Sequence, residues 1–421
     1  MRILLLSNLY PPHVQGGAEI LAADVAAGLE KLGHEVLVLT SSEDLPKEQQ
    51  DGHIWRTLSS APPAHFDRHR PLWQQFNLPL NYYRRYHCPA NAAQLRRVIA
   101  VTQPDVLYIW EITGIGVISL LKTLPDLKLP IVFHLGSYWL LYAQSPETEQ
   151  SRLHLHRLKQ WLIGSLPPLH WTSFIAVSAT VKQQYVQRGF DSERIEVIYN
   201  GIDSRFLTLP PVDDSRDNIE GPLRLLFVGR LRVEKGVLVI LKALEQLVRE
   251  TGLADIATLS LHLNIFGTGD QVYVDELQRF LQEKNLTHLV TFHGRVSQDE
   301  LISYYDRSHI MLVPSLWKEP FGLVIAEAMA RGLPVIASDV GGPAEILTHQ
   351  MDGLLVEPGD EQILAAAIRQ LIEDPERRKQ LGQAARATVR ERFTIEQNAK
   401  RVEQHLLRAI QKEAERITMV R

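Results

Sequence analysis

Pro314-Ser315-Leu316-Trp317-Lys318-Glu319-Pro320-Phe321-Gly322-Leu323-Val324-Ile325-Ala326-Glu327 is the stretch that decides how this chain is read. It follows an apolar run, Ile310 to Val313, that reads as a short buried strand. It opens a segment from Gly322 to Arg331 whose Leu323, Ala326, Ala328, Met329 and Ala330 suit a helix. The local order is therefore strand, loop, helix. Pro320 has no amide proton and disfavours helical geometry at Glu319, which puts Glu319 in the loop and Glu327 about a turn and a half into the helix. The two carboxylates then flank a helix N-terminus. Free amides at Phe321, Gly322 and Leu323 offer donors and a positive dipole end, and Gly322 allows close backbone approach. An ionised carboxylate accepts from two neighbouring hydroxyls, so the arrangement suits a polyhydroxyl ligand.

An isolated pair of acids at the spacing of Glu319 and Glu327 reads as a surface Glu and a solvated helical Glu. With Pro314-Ser315 before it and Pro320-Phe321-Gly322 inside it, the stretch resembles the E-x7-E element of the family 4 glycosyltransferases, retaining enzymes of the GT-B fold. The resemblance implies an α/β protein of two Rossmann-like, doubly wound parallel-sheet domains facing across a cleft.

At 421 residues the chain is too long for one ordinary core, and two or three domains are expected. With 45% hydrophobic and 22% charged residues it reads as soluble and globular, and a net charge of -4 argues against a nucleic-acid partner. The balance is uneven. Up to Arg205, 19 Lys+Arg stand against 18 Asp+Glu, and after it 26 stand against 31, so the positive bias lies in the first half. The single cysteine, Cys88, excludes an internal disulfide and fits a reducing compartment. The run Met1 to Leu6 is too short for a signal peptide, is followed at once by Pro11 and Pro12, and reads as the first buried strand. No run approaches the roughly 18 apolar residues of a membrane span. The expected location is cytoplasmic, with any membrane contact peripheral and at the inner face.

The first half opens with a strand from Arg2 to Ser7, a loop to Gly16-Gly17, a helix with Ile20, Leu21, Val25, Leu29 and Leu32 inward, Gly33 as its end, and a strand from His34 to Leu39. This βαβ opening predicts a parallel, doubly wound sheet. Gly16 and Gly17 read either as a plain tight turn or as a phosphate-holding helix entry, and they are not GxGxxG. Residues 53 to 87 break the rhythm. There Trp55, Phe66, Trp73, Phe76, Tyr82, Tyr83 and Tyr86 interleave with Arg56, Arg68, Arg70, Arg84 and Arg85, and Asp67 is the only acid. Such a segment suits a bilayer interface or an anionic acceptor, or else a long insertion packed on its domain. Pro104 to Ile109, Pro130 to His134, Phe174 to Val177 and Ile195 to Ile198 are further strands, and Ser178 is placed to cap a helix. His134 stands at a strand's C-terminal end, the ligand edge of an open α/β sheet. The segment from Tyr138 to Trp171 reads as helical and suits an acceptor-side lid.

Thr208 to Pro222 reads as linker. The strand Leu223 to Val228 then leads through Gly229-Arg230-Leu231-Arg232-Val233-Glu234-Lys235-Gly236 to a helix carrying Leu238, Ile240, Leu241, Leu244 and Leu247, which repeats the start of the first half. Arg230 and Lys235 emerge where two fixed cations can neutralise a diphosphate, or else are solvated charges at a helix start. Leu261 to Phe266, Val290 to Phe292 and Pro334 to Ser338 are strands, and Asp339 to Glu345 carries Gly341-Gly342, read as structural support.

The resemblance implies more than the residues alone. It makes Arg230 and Lys235 the diphosphate clamp and gives Glu319, with the amides of Phe321, Gly322 and Leu323, the donor-sugar hydroxyls. It gives Glu327 the ribose, the main chain at Arg295 and Val296 the nucleobase, and His134, followed by Gly136, the sugar near its reacting carbon. Gly16 and Gly17 become the loop that approaches the diphosphate and the acceptor. It implies a first domain over 1–207 on the acceptor side, a second over 208–393 for the nucleotide sugar, and a helix over 394–421 crossing back. The donor is then a nucleotide diphosphate sugar, a UDP-sugar favoured. The acceptor is a glycan, a lipid-linked or a small molecule, with no other cofactor. No Asp-x-Asp triad precedes these motifs, so metal independence is expected. An epimerase or phosphorylase of the same fold, or a sugar-binding protein without chemistry, stays open at this level.

Overall fold

The computed structural model describes residues 1–42, 49–61, 83–144, 167–208, 222–251 and 261–419. The chain divides into two compact units, Met1–Gly201 with Ile395–Arg421, and Ile202–Thr394.

The first unit is built on an eight-stranded sheet of order β3-β4-β2-β1-β5-β6-β7-β8. Its strands are β1 Arg2–Leu6, β2 Glu35–Ser41, β3 Gln49–Asp51, β4 Ile54–Leu58, β5 Val106–Ile109, β6 Ile131–Leu135, β7 Ser173–Ala176 and β8 Ile195–Val197. Every pairing is parallel except β3 with β4. The Met1–Leu6 run is indeed the central strand, Ile3 to Leu6 being fully buried as a strand covered on both faces must be. Helix Gly17–Lys31 packs on the last helix, Ile395–Met419, so closely that a Cβ on Gly28 would lie 2.7 Å from the Ala399 Cβ. Asn398 donates to the Tyr199 carbonyl at 2.7 Å and His34 meets Glu403 at 2.6 Å, which fastens that helix to this unit. Ser178 caps its helix, accepting from the Val181 amide at 3.1 Å.

Arg56 corrects the reading of residues 53 to 87. It lies on β4 with 6% exposure, and its guanidinium donates to the carbonyls of Tyr10, at 3.1 Å, and Pro11. Buried carbonyls need donors, and here a long arginine supplies them to the loop after β1. Arg56 is therefore scaffold and not part of a membrane-facing surface. Residues 62–82, with Phe66, Trp73, Phe76 and Tyr82, lie outside the described residues, as does 145–166, most of the expected lid.

The second unit carries a wholly parallel six-stranded sheet of order β11-β10-β9-β12-β13-β14. The strands are β9 Leu223–Val228, β10 Leu261–Phe266, β11 Val290–Gly294, β12 Ile310–Val313, β13 Val335–Ser338 and β14 Leu354–Val356. Its core joins Leu225, Leu263, Leu312 and Ile336 from the sheet to Ile240 and Leu244 of helix Val237–Thr251. Residues 202–207, read from the sequence as the end of the first domain, belong to this unit. Ile202 bridges Thr394, Phe206 meets Tyr305 edge-on at 6.1 Å, and Arg331 donates to the Phe206 carbonyl at 3.1 Å. A linker boundary drawn from composition could not register those three contacts.

Candidate functional site

In the second sheet the strand order reverses between β9 and β12. The crevice outside the carboxyl ends of such a pair is where open α/β sheets take ligands. The turn after β9 holds Arg230 and Lys235, and the loop after β12 holds Glu319. Glycines let these turns pack backbone against backbone. Gly236 has φ +71°, and a Cβ there would stand 1.9 Å from the Pro314 carbonyl oxygen. Beside it the Leu316 amide donates to the Glu234 carbonyl at 2.8 Å. Gly267, at φ +132°, lets β10 approach the Gly229 carbonyl, which a Cβ would meet at 1.8 Å.

The result is a direct contact between two residues that the sequence places far apart. Glu319, 8% exposed, accepts from the Lys235 ammonium on one oxygen and from the Ser315 hydroxyl, at 2.6 Å, on the other. The ammonium also lies 5.8 Å from the centre of the Trp317 ring. The loop rests on Gly341 and Gly342: Glu319 bridges Gly341, and the Gly342 amide donates to the Glu319 carbonyl at 2.7 Å. A Cβ on Gly342 would fall 2.3 Å from the Phe321 carbonyl oxygen, so structural support is what this pair supplies.

Gly322, at φ +108°, turns the chain into helix Leu323–Ala330. Phe321 is 3% exposed with its ring edge-on to Phe393 at 5.8 Å, which leaves only its main chain for a ligand. Glu327 lies in the second turn and accepts from the Tyr305 hydroxyl at 2.8 Å. Burial, then the Glu327 charge, push the Tyr305 phenol well above its ordinary range, so it acts as a fixed donor. Arg230 is exposed at the end of β9. Arg295 and Val296 follow β11 on the same edge, after Gly294, whose carbonyl accepts from the Gly267 amide at 2.7 Å. Ser315 was read only as part of the motif, and its bond to Glu319 was not. Tyr305 carried no sequence signal, because its meeting with Glu327 depends on how two helices pack.

In the first unit the reversal falls between β1 and β5. Gly16 ends the loop after β1, but its backbone is extended, and its amide donates to the Glu19 carboxylate at 2.9 Å. That amide, expected to meet a phosphate, is taken by the helix's own acid, a local cap that also puts negative charge where an anion would sit. Gly17 is exposed at the first helical position.

His134 is on β6 and 1% exposed. Its Nδ1 lies 2.8 Å from the Tyr108 hydroxyl, and its ring stacks on Trp110, centroids 3.8 Å apart and planes 10° from parallel. Burial lowers its pKa from 6.5 to about 3, so the imidazole is neutral. The His134 Nε2 is buried with no hydrogen-bond partner among the described residues, and so are the indole nitrogens of Trp110 and Trp139. Gly136 lies beside this ring edge, a Cβ there standing 3.4 Å from His134 Cδ2. Tyr108 was read from sequence only as strand and Trp110 was not read, since nothing local marks a side chain on or just after β5 as the partner of one on β6.

Two families match the chain. The one described as glycosyl transferases group 1 matches residues 213–388, and the one described as glycosyltransferase family 4 matches residues 15–206. An uncharacterized glycosyltransferase of Methanocaldococcus jannaschii is 25% identical over 95% of this chain and 96% of its own. A glycogen synthase of Mycobacterium tuberculosis is 27% identical over 92% of this chain and 89% of its own. Among solved structures, HepE of Anabaena in complex with UDP and glucose matches with a TM-score of 0.68 at 24% identity, covering 96% of this chain and 99% of that one.

Proposed function

We propose that this chain, which belongs to the family 4 glycosyltransferases and has their GT-B fold, moves a sugar from a nucleotide diphosphate donor to an acceptor hydroxyl with retention of anomeric configuration. The observation that carries the reading is the meeting of Lys235 and Glu319 at the β9/β12 reversal, beside a glycine-turned helix N-terminus. A cation and a carboxylate fixed side by side suit a ligand that is a phosphate on one side and a polyol on the other.

Lys235 and the exposed Arg230 take the diphosphate and stabilise it as it leaves. Glu319, with the main chain of Phe321, Gly322 and Leu323, takes donor-sugar hydroxyls. Glu327, fixed by Tyr305, takes the ribose, and the main chain at Arg295 and Val296 meets the base. His134 in the first unit is a sugar contact. Glu319, already held by two donors, is a poor nucleophile, which favours front-face attack with a leaving phosphate oxygen taking the acceptor proton. A UDP-sugar is the favoured donor, supported by the UDP bound in the fold-related HepE. The acceptor is a glycan precursor, lipid-linked or small, and the two cations do the charge work without a metal. No helix among the described residues is long and apolar enough to cross a membrane. Peripheral contact through 53–87 stays a proposal that no longer includes Arg56.

Thermal unfolding with UDP, GDP, ADP and their sugar conjugates tests the donor class, since a ligand of the folded state raises its stability. The expected result is a shift with UDP and UDP-sugars that Lys235→Ala abolishes. A shift with GDP or ADP alone would overturn the donor assignment. Nucleotide released without acceptor would point to hydrolysis, and an isomerised donor sugar to epimerisation. A product of inverted configuration, read from its anomeric proton, would end the retaining mechanism.

A further inference from the structure

We propose that Tyr108 is a positioning residue that holds His134 in the tautomer carrying its proton on Nε2, so that the ring presents a hydrogen-bond donor, and not a base, to a substrate oxygen. The inference rests on the preceding reading only in making that oxygen a substrate's. Tyr108 is fully buried, and its hydroxyl has one hydrogen. The recorded partner of that hydroxyl is His134 Nδ1, at 2.8 Å. If Nδ1 carried the proton, both groups would point hydrogens into the contact or the phenol hydrogen would go unpaired, and the Nε2 lone pair would be buried as well. With the phenol donating to Nδ1, one hydrogen bond is complete and a single N–H is left over, at Nε2. A buried donor without a partner is costly, and a structure tolerates it where a ligand is to supply the acceptor.

Three further features agree. Trp110 lies flat on the imidazole and opposes the half-turn that would swap Nδ1 with Cδ2 and turn a carbon towards the Tyr108 hydroxyl. Burial keeps the ring neutral, so the proton on Nε2 is the only one it carries. Gly136 places no side chain over the buried Nε2 edge, a Cβ there standing in ordinary contact at 3.4 Å from Cδ2 and 3.7 Å from Nε2. A neutral Nε2–H cannot accept the proton of an attacking hydroxyl. The chemistry this ring can supply is a hydrogen bond to a sugar hydroxyl or to oxygen gaining negative charge.

Two readouts test the proposal. In protein labelled with 15N at histidine, the His134 resonances, assigned by their loss in His134→Gln, are expected to show a protonated Nε2 and a bare Nδ1. In Tyr108→Phe the two nitrogens are expected to move towards a mixture. A protonated Nδ1 or an imidazolium in the unaltered chain would overturn the proposal, as would an unmoved Nε2–H spectrum in Tyr108→Phe. In turnover, His134→Gln keeps a donor and loses any base, and it is expected to retain at least a tenth of the activity while His134→Ala falls at least a hundredfold. Equal losses in the two would overturn the donor role. An Nε2–H spectrum with full activity in His134→Ala would uphold the tautomer and instead remove His134 from the substrate site. Circular dichroism on each variant separates loss of fold from loss of function.

Discussion

The Lys235 ammonium donates to the Glu319 carboxylate, joining the turn after β9 to the loop after β12 across 84 residues of sequence. The pair is partly buried, with side-chain exposures of 21% and 10%. Removing one partner strands the other charge, at a cost between that of exposed and buried pairs, about 1–3 kcal/mol. Lys235→Ala and Glu319→Gln are each expected to lower the unfolding free energy by that amount in urea titrations. The double variant should lose less than the sum, because neither charge is then left alone. Strict additivity would mean that the contact contributes nothing to folding. Turnover should fall at least a hundredfold in either single variant.

Tyr305→Phe removes the hydroxyl that donates to Glu327 and leaves the ring against Phe206. About 1 kcal/mol of stability should be lost with the hydrogen bond. If Glu327 holds the ribose, the KM for the donor should rise severalfold while kcat changes little, as expected for uniform binding. Steady-state kinetics with varied donor decide it; a fall in kcat at unchanged KM would move Glu327 off the ribose.

Gly236 and Gly359 share a left-handed backbone but differ in surroundings. At Gly359, φ +80°, a Cβ would touch only the Leu316 side chain, at 3.5 Å. Gly359→Ala should therefore cost only the backbone strain, about 1–2 kcal/mol. Gly236→Ala adds a collision with the Pro314 carbonyl and must push the Lys235 turn away from the Glu319 loop. It should destabilise more than Gly359→Ala and abolish UDP-induced thermal stabilisation, which Gly359→Ala keeps.

His134 makes stability fall with acid. Its folded pKa is about 3 against 6.5 unfolded, so below 6.5 the unfolded chain binds a proton that the folded chain refuses. The contribution is complete above pH 6.5 and drains as pH drops towards 3, by about 1.4 kcal/mol per unit. From about pH 7 to about pH 5 the unaltered chain should lose roughly 2 kcal/mol more than His134→Gln, in urea titrations at both pH values. Parallel losses would show that His134 titrates alike in both states.

Local spacing along the chain settled much of this protein. The apolar run at Met1–Leu6, the strand before Pro314, the break at Pro320 and the turn at Gly322 are near-neighbour effects of sterics and periodicity. They were legible because a strand buried on both faces is written as a continuous apolar run. The acids at 319 and 327 and the cations at 230 and 235 were legible from their spacing along the chain and from the resemblance their motifs carry. What only the tertiary structure decided is which groups meet. Strand order put β9 beside β12 and so Lys235 against Glu319, and it put β5 beside β6 and so Tyr108 on His134. Burial then took Arg56 from the surface into the scaffold and turned an ordinary histidine into a neutral one. Those outcomes depend on contacts between residues tens of positions apart and on the water that packing removes, and neither is written in any local window of the chain.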